Sequence, residues 1–300
     1  MNELFEKQKD ELINIILNTC KNEGLFQTKI SALDFYTTTS LSEFVGTIYE
    51  PCICLALQGS KAVGFGENMY GYNSKKYLLV STNIPANVRI EEASIEKPYV
   101  SLKISFSLEQ IYEVLKELED FENKAKTQQG LFFGDLNVTL LNPILRLVKL
   151  LDTPQKNIDF LSPLIIKEIL YILLSGDSKE FLKQYVMEGS VTNQIVKVIS
   201  EIKNNFSQTL NIKDLANKFR MSESSLYHNF KKITMLSPLQ FQKKLRLEEA
   251  KQLLLNQNID ASEVAFLVGY ESPSQFSREY ARMFGFPPKT HINYLKEQLR

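Results

Sequence analysis

The chain has 300 residues, 44% of them hydrophobic, with 35 Lys and Arg against 35 Asp and Glu, two His and three Cys. That length suffices for about two cored domains, and no uninterrupted apolar run reaches the roughly 18 residues of a membrane helix, so no membrane partner is expected. The formal charge of zero hides an asymmetry: residues 191–300 hold 16 basic against 10 acidic side chains, and residues 1–190 hold 19 against 25. A basic C-terminal segment suits a polyanion.

The chain opens on "MNELFEKQKDELINIILNTC", where Leu4, Leu12, Ile15 and Ile16 recur at helical period and acids stand where an export signal would carry bases. This predicts an amphipathic helix and a cytoplasmic protein, and the odd cysteine count fits a reducing compartment. From residue 50 to 106 the period is two: Ile53, Leu55 and Leu57, then Leu78 and Val80, then Val100, Leu102, Ile104 and Phe106. These runs predict an antiparallel sheet or small barrel. "GSKAVGFGEN" and "NIPANVRIEEASIEKP" between them read as turn chemistry. After Ser107 the period becomes helical, in "LEQIYEVLKELEDF", "LLNPILRLVKLLDTP" and "SPLIIKEILYILLSGD", the last with Ser162 as cap and Pro163 in its first turn. Leu140, Leu141, Ile144, Leu145, Val148 and Leu151 form a stripe that serves either core or self-association. The helix after Ser162 is apolar enough to be buried. A polar break at residues 187–193 is the expected linker between a domain of residues 1–186 and one of residues 194–300.

One arrangement then occurs twice. In the first copy Asn211 caps a short helix with Ile212, Leu215, Ala216 and Phe219 inward, Arg220 and Met221 turn, and Ser222 caps a helix burying Leu226, Phe230 and Ile233. In the second, Ala261, Val264, Ala265 and Val268 line a helix, Gly269 sits in the turn, and Ser272 with Pro273 starts a helix burying Phe276, Tyr280 and Phe284. This is the helix-turn-helix pattern, whose second helix reads the DNA major groove with its N-terminal residues. The copies are joined by "SPLQFQKKLRLEEAKQLLLNQN", about five helical turns spanning about 28 Å, which suits two heads about one turn of B-DNA apart.

"DLANKFRMSESSLYHNFKKITMLSPLQFQKKLRLEEAKQLL" with "VAFLVGYESPSQFSREYARMFGFPP" resembles the DNA-binding domain of the AraC/XylS family of bacterial transcription regulators. "PCICLALQGSKAVGFGENMYGYNSKKYLLVSTNIPANVRIEEASIEKPYVSLKI" and the helical runs after it are similar to the N-terminal domain of one AraC-type subgroup, so the resemblance covers nearly the whole chain. It implies an α+β chain: a cupin-like barrel with flanking helices that binds a small-molecule effector and dimerises, then an all-α domain with two helix-turn-helix motifs on a long linker helix. The implied partners are double-stranded DNA, an unidentified effector, a second copy of the chain and RNA polymerase. Matched by position, Ser224, Tyr227 and His228 in the first head and Ser274, Ser277 and Arg278 in the second fall on the face that family members turn to bases. Arg278 can take guanine O6 and N7 together. Lys231, Lys232 and Arg282 lie nearer the helix ends and suit phosphates, while Glu223 and Glu279 point away from them.

Enzyme chemistry finds no support in the residues. Both histidines, His228 and His291, lie in the DNA-binding half, so the barrel has no imidazole set for a metal, and no nucleophile has a His partner. No cofactor or metal is expected. Cys52 and Cys54, at i and i+2 on a strand, face one side and read either as small apolar packing or as a thiol sensor. Cys54, Gln58 and Tyr99 are candidate effector contacts, although the alternation alone does not say which strand face is interior. A constitutive DNA-binding protein whose barrel is only a dimerisation or partner scaffold is the alternative reading.

Overall fold

The computed structural model describes residues 2–118, 129–187, 189–257 and 259–298. Helix α1 (Asn2–Thr19) leads into nine strands: β1 (Gly24–Gln27), β2 (Leu33–Thr38), β3 (Val45–Tyr49), β4 (Cys52–Gln58), β5 (Ser60–Phe65), β6 (Asn68–Asn73), β7 (Lys76–Val80), β8 (Ile84–Glu92) and β9 (Tyr99–Ser105). After α2 (Leu108–Glu117) comes one more strand, β10 (Leu131–Asp135). The strands form two antiparallel sheets, in the order β1-β2-β9-β4-β7-β10 and β3-β8-β5-β6. The hydrogen bonds do not close them into one ring, so the cupin-like domain is an open pair of sheets.

Both segments read as turns are strands. "GSKAVGFGEN" contains β5 and "NIPANVRIEEASIEKP" contains β8. Ile84, Ala86, Val88 and Ile90 alternate inward along β8. Pro85 stands opposite Ile48 of β3 and beyond the stretch, Asn87 onward, that pairs with β5. Its missing N–H therefore removes no bond on that side. Strand β10 lies inside the stretch assigned to helices. Its five residues are too few for a period to emerge, and pairing with β7 defines it. The end of the helical pattern after Ser107, residues 119–121, lies outside the described residues.

The helices that follow are α3 (Val138–Lys149), α4 (Gln155–Ser175), α5 (Lys179–Val186) and α6 (Val191–Asn204). The α3 stripe is core: Leu140, Leu141, Ile144, Leu145, Val148 and Leu151 are all buried. Two readings of α4 are corrected. Ser162 is not its cap, because the helix starts at Gln155 and runs through Pro163. Pro163 is exposed, as is Asp159, whose carbonyl loses its helical donor on the solvent side of the helix. Nor is α4 wholly buried: Ile158, Ile165, Ile166 and Ile169 face inward, while Phe160, Leu161, Leu164 and Tyr171 are exposed. Ser190 accepts from Asn193 N–H and so caps α6, which places the last residues of the expected linker inside a helix.

The C-terminal part continues with α7 (Ile212–Lys218), α8 (Glu223–Thr234), α9 (Pro238–Asn256), α10 (Ala261–Leu267), α11 (Pro273–Phe284) and α12 (Pro288–Gln298). One continuous apolar core runs from the sheets through α6 into the first helix-turn-helix, taking in Leu215, Leu226, Phe230, Ile233, Phe241 and Leu245. The second has its own core, around Leu247, Ala250, Val264, Val268, Phe276 and Tyr280. Helix α9 thus serves both, with Phe241 and Leu245 on one side and Leu247 and Ala250 on the other. Among the described residues no helix is long and apolar enough to cross a membrane.

Candidate nucleic-acid interface and ligand cavity

Each reading helix is started by a serine. Ser222 Oγ accepts from Ser225 N–H at the head of α8, and Ser272 Oγ accepts from Gln275 N–H at the head of α11, where Pro273 fills the first turn. With Leu226, Phe230 and Ile233 buried, α8 turns Ser224, Tyr227 and His228 outward, at i, i+3 and i+4. Counted from their caps, Ser274, Ser277 and Arg278 hold the same three positions in α11. Ser274 and Arg278 are exposed and Ser277 is half-buried. Lys231 and Lys232 in the last turn of α8 and Arg282 in the last turn of α11 are also exposed.

The two turns differ in one respect. Arg220 and Gly269 both adopt the left-handed conformation, with φ of 54° and 90°, but two residues separate Gly269 from its cap Ser272 and only Met221 separates Arg220 from Ser222. Glycine is needed at 269 for a second reason: a Cβ there would stand 2.1 Å from the carbonyl oxygen of Ser207. That close approach belongs to a cross-brace that the sequence pattern did not single out. From α9, Arg246 donates to the carbonyls of Phe206 (2.7 Å), Ser207 (3.2 Å), Gln208 (2.9 Å) and Gly269 (2.7 Å). Gln242 donates to Phe206 O (2.9 Å) and Gln208 O (2.7 Å). The loop after α6, the strut and the second turn are thereby fixed to one another. In the helical periodicity Arg246 is only a polar residue between Leu245 and Leu247.

Glu279 is turned toward α9 and Tyr270. It accepts from Tyr270 OH (2.9 Å) and Gln275 Nε2 (3.3 Å) and pairs with Lys243 (3.0 Å), which ties α11 to α9. His291 packs against Phe284 and lies 3.1 Å from the Tyr280 hydroxyl, and burial lowers its pKa below the usual imidazole value. It has a packing role in the second head.

The β-domain touches the heads away from their reading ends. Gly130 N–H donates to Ile233 O (3.1 Å) at the end of α8, and Gly66 approaches Met235 just beyond it. Strand β3 meets α9 and α11, where Gly46 leaves room for Glu248 and Met283. Lys203 of α6 pairs with Glu50.

Between the sheets and α9 lies a cavity of about 810 Å³. Tyr49, Cys54, Lys61, Tyr72 and Lys103 line it from the strands, and Leu245, Glu248 and Lys251 from α9. The cavity face is thus the one that carries Cys52 and Cys54, with Ile53 and Leu55 on the opposite face by strand alternation. Lys103 pairs with Asp34 at 2.9 Å, and Glu248 pairs with Lys251. Lys61 makes no ion pair with a described carboxylate; its ammonium lies 5.7 Å from the Tyr49 ring centroid. Burial lowers the pKa of this lysine and raises that of Glu248. The buried Tyr49 hydroxyl has no hydrogen-bond partner among the described residues. Of the three effector candidates, Cys54 lines the cavity. Gln58 Nε2 donates to Pro98 O (2.8 Å), and buried Tyr99 packs edge-on against Tyr36. Among the described residues no cluster of His, Cys, Asp and Glu could hold a metal ion.

Two helix-turn-helix units on one strut, with a cavity between that strut and a β-domain, define a DNA-binding transcriptional regulator. Residues 29–181 match the family of AraC-type transcriptional regulator N-termini and residues 215–293 match a helix-turn-helix domain family. The chain belongs to the AraC family of transcriptional regulators. It is similar to the lactose operon transcription activator of Staphylococcus xylosus, 22% identical over 73% of this chain and 77% of that one. It is also similar to the raffinose operon regulatory protein RafR of Pediococcus pentosaceus, 31% identical over 54% of this chain and 55% of that one. Among solved structures, ToxT from Vibrio cholerae with an unsaturated fatty acid bound has the same fold, with a TM-score of 0.61 at 12% identity, covering 87% of this chain and 94% of that one.

Proposed function

We propose that the chain is a sequence-specific regulator whose DNA binding is set by a small molecule held in the cavity between the sheets and α9. The observation that carries this reading is the composition of the cavity wall: one side is the β-domain and the other is the strut that carries both heads. A ligand there contacts α9 directly, so it favours one arrangement of the heads over another by its unequal affinity for the two. Ser224, Tyr227, His228, Ser274, Ser277 and Arg278 read bases, and Lys231, Lys232 and Arg282 hold phosphates. The ligand class that fits is a small amphiphile with an acidic head. Leu245, Ile48 and Leu102 supply apolar wall, and Lys61 is an ammonium without a carboxylate partner among the described residues. The fatty acid bound in ToxT supports the same class.

Thermal melting of the full chain with a series of medium- and long-chain carboxylates, and with the matching alcohols as uncharged controls, tests this reading. The expected result is a concentration-dependent rise in Tm with the acids only, lost in Lys61→Met, and a matching change in DNA affinity at fixed salt. A ligand-independent Tm and DNA affinity would leave the β-domain as a scaffold.

Self-association belongs to the same proposal. The exposed Phe160, Leu161, Leu164 and Tyr171 on α4 form the patch through which two copies pair, and contact with RNA polymerase follows once both copies are on DNA. Leu164→Asp is expected to shift the sedimenting species from dimer to monomer.

A further inference from the structure

We infer that Cys52 and Cys54 form a dithiol site in the cavity wall at which Cys54 is covalently modified by small soft electrophiles of the α,β-unsaturated carbonyl class. The two sulfurs lie 3.6 Å apart. Cys52 is fully enclosed, whereas Cys54 keeps 7% of its surface, on the cavity side. Lys103, itself paired with Asp34, is its cross-strand partner on β9, and Lys61 of the other sheet lines the same cavity. A cysteine that served only as a small apolar filler would gain nothing from two ammonium groups. A thiolate would be stabilised by them. The contact with Cys52 lowers the pKa of the Cys54 thiol, burial opposes it, and Lys61 and Lys103 lower it further against the opposing charge of Asp34. Cys54, the member of the pair that opens on the cavity, is the nucleophile.

The geometry favours carbon electrophiles over oxidative closure. Residues i and i+2 of a strand have Cα atoms about 6.6 Å apart, near the upper limit of about 6.8 Å for a disulfide, and both cysteines are fixed in the ladder of a central strand. Addition to an enone needs no such movement. The Cys54 thiolate forms a carbon–sulfur bond at the β-carbon, the alkene π pair shifts to the carbonyl oxygen as an enolate beside Lys61, and a proton is delivered to the α-carbon. The net change adds the Cys54 thiol across the double bond, with no oxidant or co-reactant. The apolar wall accommodates the alkyl remainder. This site does not require the acidic effector proposed above.

The three thiols of the full chain provide an internal competition. Native protein would be treated with substoichiometric N-ethylmaleimide, or with trans-2-hexenal, quenched, and mapped by peptide mass. Cys20, half-buried at the end of α1 with its pKa raised by burial, is the reference. The expected result is an adduct on Cys54 forming at least about tenfold faster than on Cys20, with Cys52 unmodified, and slowed in Cys52→Ala and in Lys61→Met. Because an adduct is scored directly, it stands or falls whether or not carboxylates raise the Tm. Labelling of Cys20 first, labelling of Cys54 only in denaturant, or a hydroperoxide-induced Cys52–Cys54 link without any alkenal adduct would overturn the assignment.

Discussion

Arg278 and Arg282 are two exposed cations one turn apart on α11, and we propose different work for them. Arg278 lies in the first half of α11, the part of a helix-turn-helix that meets base edges in DNA complexes, and Arg282 lies in its last turn. Arg278→Ala is expected to cost about 1–3 kcal/mol on the target site and to relax preference at one base pair. Arg282→Ala is expected to weaken target and random DNA alike and to flatten the salt dependence. Fluorescence anisotropy against a set of single-base variants at several salt concentrations separates the two; identical profiles would refute the assignment. The paired turns allow an equally local test on the free protein. Gly269→Ala meets both the left-handed backbone and the Ser207 carbonyl, and a loss of about 3 kcal/mol is expected in urea unfolding. Arg220→Gly relieves the left-handed strain at the matching position and is expected to gain up to about 1 kcal/mol.

Helix α9 was legible as a strut from its Ser237 start and its apolar spacing. Its role as a cross-brace was not, because hydrogen bonds from Arg246 to four carbonyls distant in sequence leave no periodic trace. Those bonds couple the loop after α6 to the second turn, so Arg246 holds the two heads in register. Arg246→Met keeps much of the stem and removes the donors. Unfolding of the second head is expected to become easier by about 3 kcal/mol, since charge-assisted bonds contribute about 1.5–3 kcal/mol and the freed carbonyls are only partly rehydrated. Binding to a single half-site should change little, while binding to the paired site should weaken. An unchanged ratio of the two affinities would show that the orientation of the heads has another source. The strands show the same division. β4, β7 and β9 announce themselves by alternation. β5 and β8 are punctuated by Gly, Pro and Asn and become strands only because each finds a partner ladder.

At the scale of the whole molecule the core is divided unequally. The first head shares its apolar interior with the β-domain and α6, and the second is closed on itself. Hydrogen exchange should therefore report two levels of protection: amides of α8 opening with the β-domain, and those of α10 and α11 opening earlier and independently. Equal protection of both heads would contradict the division.

The sequence by itself determined the all-helical C-terminal half, its duplicated turn and which side chains the second helix of each copy buries. Capping, helical period and glycine act within a few residues, and burial of one helix face dictates what the other presents. Only the tertiary structure decided which face of β4 lines the cavity, that Cys54 opens onto a cavity with Lys61 and Lys103, that the α3 stripe is core while α4 exposes an apolar patch, and that Arg246 joins the heads. Each of those depends on residues far apart along the chain meeting across two sheets or along a helix, and local pattern carries no information about which long-range partner fills the space beside a given face.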